Sequence, residues 1–177
     1  LPKHDQILEW TTGDVFMGHV RWATKGAVND DNAHPFAQKS FIGAHNGTLV
    51  TKKYQPTDKG TDSELFFRDI EERGLTEVLS DLSGADAYAI EMLSREKQEL
   101  TLARNEQRTL YVAVHTQRDV IYWASEGDFL RFVFKKHNVM DYRIFKLLPD
   151  KIYRIKLKNI RKDKEPWEVE NLPEKKH

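Results

Sequence analysis

The chain has 177 residues, with 28 basic side chains balanced by 28 acidic ones, 39% hydrophobic residues and 32% charged. This is enough apolar material for one core beneath a charged surface, which excludes a disordered chain, and zero net charge argues against nucleic acid as the main partner. The absence of cysteine excludes disulfides, thiolate metal sites and a cysteine nucleophile within these residues; no apolar run approaches the roughly 18 residues of a membrane span.

No basic-then-apolar leader opens the chain, so the default location is cytoplasmic and no membrane partner is expected. The chain begins Leu1-Pro2-Lys3 without an initiator methionine, as expected of a stretch lying inside a longer product. In chain order, His4 to Trp10 reads as the end of a helix stopped by Thr11-Thr12-Gly13-Asp14. Val15 to Trp22 reads as a buried strand. A loop rich in Asn, Asp and Gly covers Lys25 to Lys39, and Ser40 to Ala44 reads as a short strand halted by His45-Asn46-Gly47. Thr61 or Asp62 caps a helix carrying Leu65, Phe66, Phe67 and Ile70, which Gly74 ends. A second short helix covers Leu75 to Leu82.

From Ala87 the periodicity changes to strands: Ala87 to Leu93, Glu99 to Ala103, Thr109 to Val114 and Val120 to Ala124. Glu126 to His137 reads as a helix with Leu130, Phe132, Val133 and Phe134 on or near its buried side. Tyr142 to Leu147 and Lys151 to Leu157 read as a strand pair closed around Pro149-Asp150. The lysines and arginines between Tyr142 and Lys164 read as solvated strand edges. Residues 158–177 read as a polar tail or linker after a domain spanning 1–157. Strands, two helices and then a meander of strands give an α+β class rather than a βαβ repeat.

Three motifs lie at element ends, where side chains and free backbone groups converge. In Gly18-His19-Val20-Arg21-Trp22-Ala23-Thr24, the Arg21 guanidinium is a planar fork suited to a carboxylate. In His45-Asn46-Gly47, an amide and an N–H free of a neighbouring Cβ suit a developing oxyanion. In Thr61-Asp62-Ser63-Glu64, a carboxylate is available to an ammonium. Taken singly they read more simply as a structural ion pair, a turn and a helix cap. Together, a cation for a carboxylate, an anion for an ammonium and an oxyanion pair suit a free amino acid with a side-chain carbonyl.

The order His-Val-Arg-Trp-Ala-Thr, Asn32-Ala33-His34-Pro35-Phe36, His45-Asn46-Gly47 and Thr61-Asp62-Ser63-Glu64 resembles the class II glutamine amidotransferase domain, over roughly residues 13 to 157. Arg-Trp-Ala-Thr is most similar to the glucosamine-6-phosphate synthase branch, and Gly-His-Val-Arg to the amidophosphoribosyltransferase branch. The resemblance implies an amino-terminal nucleophile hydrolase fold, a four-layer αββα sandwich of two antiparallel sheets between helical layers. It implies that Arg21 binds the α-carboxylate of L-glutamine with Trp22 and Thr24 assisting, that Asp62 binds the α-ammonium, and that Asn46 and Gly47 form the oxyanion hole. His34 is implied in a supporting role. No cofactor and no metal are implied; the implied partner is a synthase domain or subunit that accepts ammonia.

Three departures stand out. The family's attacking group is a cysteine at the mature amino terminus whose own α-amine is the base, and here no Cys, Ser or Thr precedes Trp10. Only about twenty residues precede Arg21, so the family's first strand is expected to be missing from this stretch. Either the stretch is the later part of a longer protein, or the domain has lost turnover. Lys25 stands where the synthase branch often has His.

Overall fold

The computed structural model describes residues 13–19, 33–55, 60–161 and 164–173. The expected helix end at His4 to Trp10, residues 20–22 of the expected Val15 to Trp22 strand, Arg21 and Trp22 among them, and Thr24 lie outside the described residues. Residues 13–19 carry no strand, and Phe16 is largely exposed; a buried strand is therefore not formed over this part of the apolar run.

Among the described residues there are nine strands and three α-helices. Helix α1 (Asp62–Arg73) begins where the Thr61 hydroxyl accepts the Glu64 N–H at 3.2 Å, a cap typically worth about 1 kcal/mol. Asp62 and Glu64 complement the positive end of its dipole. It ends at Gly74, whose φ of 89° is open to glycine and strained for other residues. Helix α2 (Leu75–Asp81) follows directly. Arg73 links the two helices by pairing with Asp69, Glu77 and Asp81.

The larger sheet has the order β1 (Phe36–Ala37), β2 (Ile42–Thr48), β3 (Ala87–Ser94), β4 (Glu99–Arg104), β8 (Lys151–Lys156) and β9 (Trp167–Asn171). The smaller sheet has β6 (Ile121–Ala124), β5 (Tyr111–His115) and β7 (Tyr142–Lys146). Every pairing is antiparallel. Alternation along the strands builds the layers. Tyr88, Ile90 and Met92 of β3 meet Phe66, Phe67, Ile70, Val78 and Leu79 of α1 and α2 in one core cluster. From the opposite face, Ala89, Leu100 and Leu102 pack with Val112 of the smaller sheet. The far side of that sheet takes Leu130 and Phe134 of helix α3 (Gly127–Lys136). The result is helices, sheet, sheet, helix: the expected α+β sandwich.

Five local expectations are corrected. His45-Asn46-Gly47 does not halt the first strand; it lies inside β2, with Asn46 opposite Ala89 and Gly47 opposite Tyr88. Strands β7 and β8 do not pair with one another: β7 joins β5 and β8 joins β4, in different sheets. The stretch read as a tail supplies β9, because Glu168 and Glu170 alternate to meet Lys156 and Arg154 of β8 across the strands. Arg154 and Lys156 thus pair with acidic neighbours instead of guarding an edge. On α3, Leu130 and Phe134 are buried, whereas Phe132 and Val133 are exposed.

Candidate functional site

Placement of the oxyanion candidates follows from β2 alternation. Gly43, His45 and Gly47 face the helical layer: a Cβ on Gly43 would lie 2.6 Å from the Phe67 ring, and one on Gly47 would lie 2.6 Å from His45 Nε2. Asn46 therefore faces the space between the sheets. Its same-face neighbours Ala44 and Ala89 are small, which leaves room around its exposed amide. A Cβ at Gly47 would also come within 1.9 Å of the Ala87 carbonyl oxygen, so the close approach of β2 and β3 here requires glycine.

The ladder also orients the Gly47 N–H. Asn105 N donates to Tyr88 O at 3.0 Å and Tyr88 N donates to Asn105 Oδ1 at 3.2 Å, so the polar groups of Tyr88 point away from β2. Its partner Gly47 then forms a non-hydrogen-bonded pair, whose N–H points away from β3. On that side β1 is paired only with Ile42 and Gly43.

Asp62 stands at the first position of α1. Its Oδ2 accepts Leu49 N at 3.0 Å and its Oδ1 accepts Ser63 N at 2.9 Å. These bonds hold the carboxylate against the end of β2. Asp62, Asn46 and Gly47 line one cavity of about 1050 Å³ that extends between the sheets toward α3. Three of the six expected site residues are therefore brought together; Arg21, Trp22 and Thr24 lie outside the described residues. His34 also lines the cavity, with its ring 4.4 Å from that of His19 and 4.8 Å from that of Phe36.

Sequence reasoning assigned no role to four further cavity residues. His45 is buried, 2% exposed, and bridges Ser63 Oγ at 2.9 Å and the Ala87 carbonyl at 3.3 Å. Burial pushes its imidazole down to about 4, against the opposing pull of Asp62, so it is neutral at physiological pH. Ser63, the second such residue, is itself buried. Glu91, on the same face of β3 as Ala89, accepts a hydrogen bond from the Trp123 indole, and burial raises its carboxyl to about 7. The Arg108 guanidinium has a buried Nε without a hydrogen-bond partner among the described residues, and its charge acts on His45. The sequence signal for His45 was present: it lies two residues before Gly47 and so shares its face. Glu91 and Arg108 carry no local pattern that separates them from surface charges.

One further carboxylate organises the surroundings. Asp86 is buried and accepts Val50 N at 2.6 Å, Thr51 N at 2.8 Å, Ser83 N at 2.7 Å, Ser83 Oγ at 2.8 Å and the Thr51 hydroxyl. Burial alone would raise its carboxyl, but the hydrogen bonds from Thr51 and Ser83 outweigh it and hold it below the ordinary range. It fastens the segment after β2 to the entry of β3. Among the described residues, no group of three or more His, Cys, Asp or Glu is placed to hold a metal ion, and no helix is long and apolar enough to cross a membrane.

Known proteins resemble this chain in sequence and in fold. The sequence profile of the family described as glutamine amidotransferases class-II matches residues 9–160. A glutamine--fructose-6-phosphate aminotransferase (isomerizing) of Lactococcus lactis is 35% identical over 119 residues, covering 56% of this chain and 20% of that protein. An amidophosphoribosyltransferase of Archaeoglobus fulgidus is 30% identical over 101 residues, covering 55% of this chain and 22% of its own length. The chain thus spans about a fifth of these relatives. The solved structure of an allosteric regulatory enzyme of purine biosynthesis superposes with a TM-score of 0.64 at 22% identity, over 88% of this chain and 34% of that one; it shares the fold. With the profile spanning most of its length, the chain belongs to the class II glutamine amidotransferases.

Proposed function

We propose that this domain binds L-glutamine and serves its hydrolysis to glutamate and ammonia, with the attacking nucleophile supplied from outside these residues. The observation that carries the reading is the convergence of Asn46, Gly47 and Asp62 on one cavity, each presenting the group its role demands. Asp62 takes the α-ammonium. Arg21 takes the α-carboxylate, assisted by Trp22 and Thr24. The Asn46 amide and Gly47 N–H hold the oxyanion formed when the γ-amide carbon becomes tetrahedral. One such donor typically contributes about 2.7–4 kcal/mol to transition-state stabilisation. The ammonia passes to an acceptor bound by a synthase domain or subunit, in the cytoplasm.

A second reading follows from the absence of cysteine: a silent module that binds glutamine without turnover. Ammonia release from L-glutamine by the whole protein, together with calorimetric titration, separates the two. Binding with release that Asp62→Asn and Arg21→Ala abolish supports the enzyme; binding without release supports the module. Absence of binding refutes both.

A further inference from the structure

We propose that a hydrogen-bond relay from the Ala87 carbonyl through His45 to Ser63 keeps Asp62 open to a ligand ammonium, making His45 a positioning residue of the amino-acid site. The relay rests on the reading of Asp62 as the ammonium acceptor. Its logic is proton bookkeeping. A backbone carbonyl only accepts, so the 3.3 Å contact between His45 Nε2 and Ala87 O places a proton on Nε2. A neutral imidazole carries one ring proton, so Nδ1 is a bare acceptor. Burial supports that neutrality. Ser63 has a single hydroxyl proton, and Nδ1 at 2.9 Å takes it.

The competing acceptor is Asp62 Oδ1, 3.5 Å from Ser63 Oγ. Because His45 draws the hydroxyl proton away, Oδ1 carries only the Ser63 N–H and Oδ2 only the Leu49 N–H among the described residues. A carboxylate oxygen has about two lone-pair sites, so each keeps one for an incoming ammonium. Packing holds the ring in place: it lies 5.5 Å from the Phe66 ring, and its Nε2 occupies space that any Cβ at position 47 would need. The relay therefore joins the ammonium end of the site, at the start of α1, to the strand that carries Asn46 and Gly47.

The test is calorimetric titration of the full chain with L-glutamine and with glutaramate, which is glutamine without its α-ammonium. In His45→Gln the amide nitrogen keeps the bond to Ala87 but no acceptor remains for Ser63, whose hydroxyl turns to Asp62. L-Glutamine affinity is then expected to fall about tenfold while glutaramate affinity is unchanged. His45→Asn retains an acceptor near the Nδ1 position and keeps L-glutamine affinity within about threefold of wild type. The decisive variant is His45→Gln with Ser63→Ala, which removes the misdirected hydroxyl and restores L-glutamine affinity. Equal loss of both ligands in His45→Gln, or no restoration in the double variant, overturns the relay. Wild-type affinity in His45→Gln alongside lost binding in Asp62→Asn overturns the relay and leaves the ammonium reading standing. Unchanged L-glutamine binding in Asp62→Asn overturns that reading, and the relay with it.

Discussion

Replacing Gly47 with alanine tests the close approach of β2 and β3 at the heart of the site. The added Cβ would lie 1.9 Å from the Ala87 carbonyl oxygen and 2.6 Å from His45 Nε2. Ordinary contacts sit near 3.5 Å, so the strands must part by roughly 1.5 Å. The obstruction is backbone, which cannot swing aside as a side chain can. Overpacking of this kind costs about 1–3 kcal/mol, and loss of the His45 to Ala87 hydrogen bond adds about 1 kcal/mol. A total of about 2–4 kcal/mol corresponds to a fall in Tm of roughly 5–12 °C for a domain of this size. Urea unfolding monitored by tryptophan fluorescence measures it, with Gly84→Ala as the control because its Cβ meets nothing within 4 Å. A Gly47→Ala protein as stable as the Gly84→Ala protein would refute the reasoning.

Other substitutions probe separate parts of the frame. Asp86→Ala removes an acceptor of five hydrogen bonds and is expected to cost about 3 kcal/mol, part of the loss being recovered by water at the exposed donors; chemical denaturation reads it. Because the Asp86 carboxyl is held low in the folded state, its contribution is present above the unfolded-state carboxylate range and is lost as pH falls through the lower folded value. Wild-type stability should therefore drop in acid more steeply than that of Asp86→Asn. For Glu91 the sign is reversed: a carboxyl raised to about 7 retains its proton in the folded state after the unfolded chain has lost it. Stability then falls as pH rises from about 4.5 to 7. Glu91→Gln keeps an acceptor for Trp123 and should flatten that slope in thermal melts between pH 5 and 8. Thr61→Ala removes the cap that accepts Glu64 N and should cost about 1 kcal/mol.

Helix α1 and most of the strands from β3 onward were legible because their signals are local: Thr61 caps, Gly74 terminates, and the strands are short alternating runs. What could not be read was pairing between distant segments. Nothing near Pro149-Asp150 reveals that Tyr142 and Lys151 begin strands of different sheets, since the partners lie far away in sequence: Phe145 sits opposite Val112 of β5 and Tyr153 opposite Leu102 of β4. The segment from Lys158 looked polar because charged residues dominate it: Glu168 and Glu170 pair with β8, while the isolated apolar residues Trp167 and Leu172 pack against the core clusters without forming a continuous run. Phe132 and Val133 were placed inward on hydrophobicity alone, yet Leu130 and Phe134 already fill the stripe that meets the smaller sheet. In the site, residue types were legible and their connections were not: Asp62 and Asn46 could be named from sequence, but the Glu91 to Trp123 bond spans two sheets.

The Asn-Gly pair shows how tertiary pairing turns a local signal into a different structure. By itself it favours a turn, because both residues tolerate left-handed backbone. In β2 it is extended, held by seven consecutive pairings with β3 from Ile42 to Thr48, and the glycine serves to admit a carbonyl oxygen. The strand's two-residue period then gives consecutive residues opposite duties. His45 and Gly47 face the helices, where one orients Ser63 and the other leaves space for Ala87. Asn46, between them, faces the cavity. A turn would scatter these three directions; a strand fixes them at once, and sets the Asn46 amide one residue before the Gly47 N–H. The packing that makes Gly47 indispensable to the sheet is therefore the packing that aims the site, so stability and ligand affinity should fall together in Gly47→Ala and separate in Asp62→Asn.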